Sequence, residues 1–459
     1  MYKIDFRKPV HVHFIGIGGI SMSGLAEVLL DRGFPVSGSD RSESPLTKHL
    51  EEQGAIVYYG QRASNIKEGT DLVVYTAAIH PDNPEYKAAA DAGIPMLTRA
   101  ELLGQLMKNY PVPIAVSGTH GKTTTTSMIS HLLLADNDDP TISVGGILPV
   151  IHGNIRVGGG DIFLTEACEY TNSFLDFFPK IGIILNIDAD HLDFFKDIND
   201  IRHSFRRFAR LLPANGTLII NRAIPQVEEI TDGLACRVIY YGVQEGRGYS
   251  AENISYNELA CASFDLKRDG ELLGHYELCV PGIHNVENAV AALALADLLQ
   301  IPRQTAQKGL KDFTGTDRRF QYKGKVGGVT IVDDYAHHPT EITATLTAAK
   351  NCPHETLWCV FQPHTYTRTK ALMDDFAKAL SLADKVVLAD IYAARETDNL
   401  GISSDTLREK IEALGTEAYY FPSFDEIETF LLEKCVHGDL LITMGAGDIV
   451  KIGEKLLGE

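Results

Sequence analysis

What this chain has little of narrows it before any motif is considered. Tryptophan occurs once, and the seven cysteines, at positions 168, 236, 261, 279, 352, 359 and 435, are odd in number and form no C-x-x-C pair. That excludes a disulfide frame or a structural zinc site, and reduced thiols in a cytosolic protein are the expectation. Basic residues are scarce as well: 42 Lys and Arg against 61 Asp and Glu give a formal net charge of −19. Nucleic acid and anionic membrane are poor partners for such a balance, although one Lys/Arg-lined pocket for an anionic metabolite fits it. No apolar run reaches membrane-spanning length, and the start, Met1-Tyr2-Lys3-Ile4-Asp5, has no apolar signal segment. A cytoplasmic protein without membrane insertion is therefore expected. Tandem repeats and low-complexity tracts are missing too. What is present is apolar residue in quantity, 44% of 459 positions, enough to give about three domains a core each.

The pattern along the chain is α/β. Strand-like Val10–Ile15, Pro35–Gly38 and Asp71–Thr76 alternate with helical Ser21–Leu30, Leu46–Gln53 and Arg99–Met107. Pro111 and Pro113 punctuate the chain. A second series then offers strands at Asp161–Ala167, Lys180–Ile187 and Thr217–Asn221. Residues 237–280 alternate polar and apolar, with turns at Glu245-Gly-Arg-Gly and Arg268-Asp-Gly, as in an antiparallel meander. Helices Val286–Leu299 and Arg303–Lys311 follow. A third series places strands at Val329–Val332, Leu357–Phe361, Lys385–Ala389 and Leu440–Met444, with helices Pro339–Lys350, Arg368–Leu382 and Ser404–Leu414 between them. The expected fold is three α/β domains, at 1–110, 111–315 and 316–459.

One stretch carries the strongest chemical signal. Ile114-Ala-Val-Ser-Gly-Thr-His-Gly-Lys-Thr-Thr-Thr-Thr-Ser127 runs from an apolar strand through a glycine loop into a helix. Glycines let backbone N–H groups face phosphate oxygens, and the helix N-terminus adds positive potential. Lys122 can reach the β- and γ-phosphates and the Thr123 hydroxyl can ligate Mg²⁺. Gly118, Thr119, His120, Gly121 and Thr124 complete the expected nucleotide contacts. The longer G-x-x-x-x-G-K-[ST] pattern wants glycine where Val116 stands.

Other clusters also sit at strand ends, where open α/β sheets bind ligands. Gly16-Ile-Gly18-Gly19-Ile-Ser-Met-Ser-Gly24, with Asp40 closing the next strand, suits a pyrophosphate, whether of a dinucleotide or of a nucleotide sugar. Glu166-Ala-Cys-Glu169-Tyr and Asp188-Ala-Asp190-His191-Leu-Asp193 offer a carboxylate and an imidazole, with Glu169 and His191 candidates for Mg²⁺, and Asp188 and Asp193 better read as helix caps. Asn285 and Asn288 share a helix face and can meet the edge of adenine; Asn285 as a simple cap explains it nearly as well. Asp317-Arg318-Arg319 lies at a domain junction, where an arginine can reach a phosphate. Asp333-Asp334-Tyr335-Ala-His337-His338-Pro339-Thr340-Glu341 and Gln362-Pro-His364-Thr-Tyr366-Thr-Arg368 describe a pocket for a small polar ligand, with Arg368 the natural partner of a carboxylate.

Taken in this order, the motifs resemble the Mur ligase family, and within it the branch that joins L-alanine to UDP-N-acetylmuramate. The resemblance spans nearly the whole chain. It implies a Rossmann-like N-terminal domain for the UDP-sugar, a central P-loop ATPase-type domain bearing the meander, and a Rossmann-like C-terminal domain for the amino acid. It also implies a short Gly-Thr-x-Gly-Lys loop, which accommodates Val116. The implied reaction is ATP-driven, Mg²⁺-dependent amide formation through an acyl phosphate, in peptidoglycan precursor synthesis for the cell wall. By the same carry-over Lys122, Glu169, His191 and His337 are catalytic, and Thr123, Glu169 and His191 hold metal. Asn285, Asn288, Arg319 and Asp334 meet ATP, Tyr335, His337 and Arg368 meet the amino acid, and Gly18, Ser39 and Asp40 face the UDP moiety. A monomer or weak homodimer is expected. Two departures stand out. Some relatives carry a basic residue where Thr365 stands, so anchoring leans on Arg368. Sister ligases carry a carbamylated lysine where this chain reads His203-Ser-Phe-Arg-Arg207, so carbamylation is not expected. Tyr335 and Glu341 favour the alanine-adding branch over a tripeptide-recycling ligase. A pyridine-nucleotide oxidoreductase leaves Lys122, Glu169 and His191 without a role, and an idle nucleotide-binding regulator does not need them intact.

Overall fold

The computed structural model describes residues 2–458 apart from Ala77, Asp193, Glu258, Leu259 and Arg395; Asp193, expected as a helix cap, thus lies outside the described residues. By contacts the chain forms two compact units. The first comprises residues 1–187, 199–240 and 295–301, and the second residues 188–198, 241–294 and 302–459.

Two sheets build the first unit. One has strands in the order Ile56–Tyr59, Val36–Asp40, Val12–Ile15, Leu72–Tyr75, Met96–Thr98, all parallel. The order reverses beside Val12–Ile15, which opens a crevice at the strands' carboxyl ends. In the second sheet Val112–Ser117 lies between Ile181–Ile184 and Ile162–Ala167, parallel to both. Thr217–Asn221 flanks Ile181–Ile184, and Thr141–Leu148 flanks Ile162–Ala167. The hairpin partner Gly153–Arg156 runs antiparallel at the edge. Several of this unit's helices start at side-chain caps. Thr98 opens Arg99–Met107 with a capping box: its hydroxyl accepts from the Glu101 N–H at 3.2 Å, and the Glu101 carboxylate accepts from the Thr98 N–H at 2.7 Å.

In the second unit a mixed sheet runs Gln321–Val326, Val329–Asp334, Leu440–Met444, Leu357–Phe361, Lys385–Leu388, Glu417–Tyr420, parallel except for its first strand. Both faces are covered. Leu357, Cys359 and Phe361 point into one core with the helices Pro339–Ala349, Met373–Leu380 and Ser404–Ala413. Trp358 and Val360 point into the other, against Phe424–Lys434 and Val450–Leu457. That two-sided burial is why Leu357–Phe361 is an unbroken apolar run. The meander Tyr249–Tyr256, Cys261–Arg268, Glu271–Pro281 is antiparallel as expected. Its entry differs: Arg237–Gly242 pairs parallel with it through Tyr241 and Tyr249. The helix expected over Arg368–Leu382 is two, Tyr366–Ala371 and Met373–Leu380, broken at Leu372 (φ −114°, ψ 21°). Among the described residues no helix is long and apolar enough to cross a membrane.

Because Thr98→Ala removes the hydroxyl that accepts from the Glu101 N–H, while the backbone N–H that Glu101 accepts from remains, it should lower stability by about 1 kcal/mol, read as a lower urea midpoint with an unchanged slope.

Candidate active site

In the first unit the strand Val112–Ser117 ends in the loop Gly118–Gly121. Gly118 has φ +146°, and a Cβ there would lie 2.9 Å from the Leu185 Cβ, so a side chain fits neither the space nor the backbone. Val116 is a fully buried strand residue in register with Glu166 and Ile183, which explains the missing glycine: the loop begins two residues later. Asn186, following the neighbouring strand, clamps the loop from the side. Its carbonyl accepts from the Thr119 N–H (3.2 Å), its Oδ1 accepts from the His120 N–H (2.8 Å), and its Nδ2 donates to the His120 carbonyl (3.0 Å).

Lys122 opens the helix Lys122–Ala135, of which Thr124 is the third residue. Its Nζ donates to the Gly118 carbonyl (2.6 Å), the Thr119 carbonyl (3.0 Å) and Glu169 Oε2 (2.9 Å). Burial works against the ammonium's charge, but Glu169 and its neighbours prevail and hold its pKa above the ordinary lysine range. The Thr123 hydroxyl donates to Glu166 Oε2 at 3.1 Å, and Glu166 Oε1 accepts from the Gly145 N–H at 2.6 Å. Within this unit, then, Glu169 meets the lysine while Glu166 meets the threonine. The loop's geometry, a buried ammonium against Glu169 and a second carboxylate, Glu166, beside the threonine hydroxyl make a donor set that fits Mg²⁺–triphosphate.

The same unit carries the second glycine loop. Gly18 donates its N–H to Asp40 Oδ2 at 2.8 Å, and a Cβ at Gly18 would stand 2.8 Å from that oxygen and 2.9 Å from Thr47 Cγ2. Asp40 thus shapes the turn directly. Ser39 is fully buried, its hydroxyl donating to Glu85 (2.6 Å) rather than facing solvent.

The second unit gathers the remaining site residues. Asn285 lies inside the first turn of Ile283–Leu298, not at its cap. It donates to the Pro281 carbonyl (2.7 Å) and accepts from Asn288 Nδ2 (3.2 Å), so the two amides form one buried pair. The two arginines part company. Arg318 is committed to the fold, donating to Asp333 (2.9 Å) and to the Gly447 (3.0 Å) and Gly445 (2.7 Å) carbonyls. Arg319 lies 3.5 Å from Glu341 Oε1 and 5.4 Å from the centre of the Tyr335 ring. Asp334 holds the loop ends, accepting from the Phe320 and Ala336 N–H groups (2.8 and 2.7 Å), and burial pushes its pKa up to about 6.

His337 packs edge-on against Tyr335 and His364. Its N–H donates to Glu341 at 3.1 Å, and its Nδ1 lies 3.0 Å from the Tyr335 carbonyl, a geometry that puts the proton on Nδ1 and leaves Nε2 as a lone-pair acceptor. Burial lowers the pKa of His337 to about 4, so the ring is neutral at neutral pH. Arg368 is met by Asp190, whose Oδ1 accepts from Nη2 (3.0 Å), Nε (3.3 Å) and the His191 N–H (2.7 Å). Burial works against the Asp190 charge, but Arg368 prevails and holds the carboxyl well below the usual carboxylate range. His191, at φ +54°, is presented by that turn and belongs with this second unit. Asp188, expected as a cap, instead accepts from the Thr340 hydroxyl (2.6 Å). Thr365 caps the Arg368 helix at φ +67°, an unusual conformation for a β-branched residue.

Three family models match in order along the chain: the Mur ligase family catalytic domain over residues 11–111, the Mur ligase middle domain over 116–296, and the Mur ligase glutamate ligase domain over 318–447. The chain belongs to the Mur ligase family. This Mur ligase is 64% identical to a UDP-N-acetylmuramate–L-alanine ligase of Agathobacter rectalis and 59% identical to one of Lachnospira eligens, in each case over 100% of both chains. Among solved structures it is similar to UDP-N-acetylmuramate-alanine ligase MurC from Thermotoga maritima (30% identity, TM-score 0.79, 98% of each chain). It is also similar to a murein peptide ligase from Psychrobacter arcticus (25% identity, TM-score 0.68, 98% of each chain). The three-domain α/β architecture of this Mur ligase is that of the family.

Asn186, Asp190 and the distinct position of Glu166 escaped the sequence. Asn186 is a single polar residue after an apolar strand, a signal shared by every strand end, and Asp190 stood in the Asp188–Asp193 run without a role of its own. Glu166 lay in a motif whose second carboxylate drew the attention.

His284, like His337, has its pKa lowered to about 4, by burial and then by Arg319. Both folded values lie below the unfolded one of about 6.5, so both rings are neutral above that pH and each costs stability as pH falls from about 6.5 toward 4. Asp334, raised instead, opposes this between about pH 6 and 4. The two histidines should outweigh it: the urea midpoint is expected to fall on acidification below pH 6.5, and less steeply in His284→Gln.

Proposed function

We propose that this chain is an ATP-dependent ligase that forms the amide between L-alanine and the lactyl carboxylate of UDP-N-acetylmuramate, a step toward peptidoglycan. Its full-length relatives carry that activity in their names, at 64% and 59% identity over both whole chains. The observation that carries the chemistry is Lys122: a lysine ammonium held over a glycine loop at a helix N-terminus, with Glu169 2.9 Å away. We assign residues 1–110 to the UDP-sugar, 111–315 to ATP and 316–459 to the amino acid, in a cytoplasmic enzyme.

A carboxylate and a triphosphate repel each other, so the attack of one on the γ-phosphate of the other requires positive charge at the transferring group. Lys122 supplies it, with the backbone N–H groups at the N-terminus of its helix. Mg²⁺, when bound, supplies further charge neutralisation, and Thr123, with Glu166 and Glu169, is the donor set for it in the first unit. The attack breaks the bond to ADP and leaves an acyl phosphate. The alanine amine then adds to the acyl carbon, loses a proton, and phosphate departs.

The second unit provides for the amino acid. Asp190 engages Arg368 through Nε and Nη2, which leaves guanidinium N–H groups to meet the alanine carboxylate. The neutral His337 presents Nε2 as an acceptor for the amine's proton. Asn285, Asn288, Arg319 and Asp334 are assigned to ATP, and Tyr335 to the amino acid.

The test is phosphate release from ATP in the presence of UDP-N-acetylmuramate and single amino acids. Release is expected with L-alanine. Its absence sinks the assignment, and release only with a tripeptide reassigns the chain to peptide recycling. Lys122→Ala should reduce turnover by at least about 10³-fold, the scale of losing a preorganised charge stabiliser, while calorimetry still detects UDP-sugar binding. Loss of binding as well would refute the separate sites.

A further inference from the structure

The N-terminal glycine loop rests on a buried ionised cluster that the reaction does not use. Glu85, in the first turn of the helix Pro84–Asp91, is fully buried. Its Oε2 accepts from the Ser39 hydroxyl at 2.6 Å and lies 3.5 Å from His13 Nε2; its Oε1 accepts from Asn65 Nδ2 and from the Arg62 N–H at 3.2 Å. His13 is itself fully buried, and Ser37 Oγ bridges its Nδ1 to His11 Nε2, at 2.8 Å to each. Burial works to raise the Glu85 pKa, yet hydrogen bonds from His13, Ser39 and Asn65 prevail and lower it, so the group is a carboxylate at neutral pH.

Such a charge is expensive to bury, and an apolar residue of similar size is often the more stable choice. Capping does not require it: Asn83 Oδ1 already accepts from the Glu85 and Tyr86 N–H groups (2.9 and 3.2 Å). The connection leads instead to the loop. Ser39, gripped through its hydroxyl, offers its carbonyl to the Gly16 and Ile17 N–H groups at 2.8 and 2.9 Å, and the adjoining Asp40 takes the Gly18 N–H at 2.8 Å. Three consecutive loop N–H groups are thus fixed by two residues whose strand end is anchored on Glu85.

We propose that Glu85 is the positioning residue of the nucleotide-sugar loop, holding Ser39 and Asp40 so that Gly16–Gly18 presents one fixed backbone to the diphosphate. This rests on the assignment of that loop to the UDP moiety and adds a buried residue through which the binding geometry is set. The carboxylate is specific to the task. Ser39, Asn65 and Arg62 all donate to the carboxylate; in Glu85→Gln one oxygen becomes an NH₂ that its partner can only accept from, and the charge that strengthens every one of these bonds is gone despite the matching shape.

The experiment uses the full-length enzyme, with UDP binding by calorimetry and steady-state KM for each substrate. Glu85→Gln should raise the Kd for UDP and the KM for UDP-N-acetylmuramate about tenfold, the order of one lost hydrogen bond to a charged group. The KM values for ATP and L-alanine should stay within about twofold, because their sites share no hydrogen bond with the cluster. Ser39→Ala, which keeps the carbonyl but releases the grip, should shift the same two constants by less. A folded Glu85→Gln enzyme that binds UDP like the wild type overturns the proposal, as does an equal rise in all three KM values, the mark of a merely structural role. If Glu85→Gln does not fold, Ser39→Ala decides, and wild-type affinity in it overturns the proposal. A wild-type enzyme that binds no UDP overturns the loop assignment itself, a separate failure visible before any variant is made.

Discussion

A lysine ammonium largely removed from water has to be neutralised, and much of the first unit is arranged to do that for Lys122. The Gly118 and Thr119 carbonyls and the Glu169 carboxylate surround Nζ. Those carbonyls can turn inward only because Gly118 has no side chain to meet Leu185. The parallel sheet supplies the rest. Val112–Ser117 lies between Ile181–Ile184 and Ile162–Ala167, so chain following one neighbour delivers Asn186 to the loop, while the other carries Glu166 near its end and delivers Glu169 just beyond it. Parallel strands bring their carboxyl ends to one edge, and a phosphate site needs groups from several strands at one edge. A change in strand order would disperse these groups without altering any motif.

The second unit meets the same electrostatic constraint by pairing. Arg318 with Asp333 and Arg368 with Asp190 each join a buried or nearly buried carboxylate to a guanidinium fork, which limits the desolvation cost. Asp334 has no such fork and relies on two backbone N–H groups; burial raises its pKa, as it raises that of Asp333 in spite of Arg318. Neutral imidazoles at His284 and His337 follow from burial beside arginines. A neutral His337 accepts a proton where a charged one would repel an ammonium. Asp190 joins two functions, since one oxygen fixes the His191 turn and orients Arg368.

Much of this was legible beforehand. Leu357–Phe361, Thr217–Asn221, Leu440–Met444 and the helix Arg99–Met107 fall where their patterns place them, because buried parallel strands are apolar runs and a capping box marks a helix start. Edge elements were not. Ile56–Tyr59, Gly153–Arg156 and Glu417–Tyr420 are short and partly exposed, so no continuous apolar run marks them. The split at Leu372 and the parallel pairing of Tyr241 with Tyr249 depend on how the chain packs, and local periodicity carries no record of that.

The sequence by itself determined the α/β class, the family and the residue types of the chemistry, because glycine loops, strand-end carboxylates and helix-opening lysines are local patterns. Tertiary structure alone decided which of several equivalent residues does which work. It committed Arg318 to the fold, set Arg319 beside Glu341, gave Glu166 to Thr123 and Glu169 to Lys122, and placed the Ser39 hydroxyl on the buried Glu85. The physical reason is that hydrogen bonds and ion pairs are fixed over a few ångströms between residues 15 to 47 positions apart. Only the folded chain brings such partners within reach.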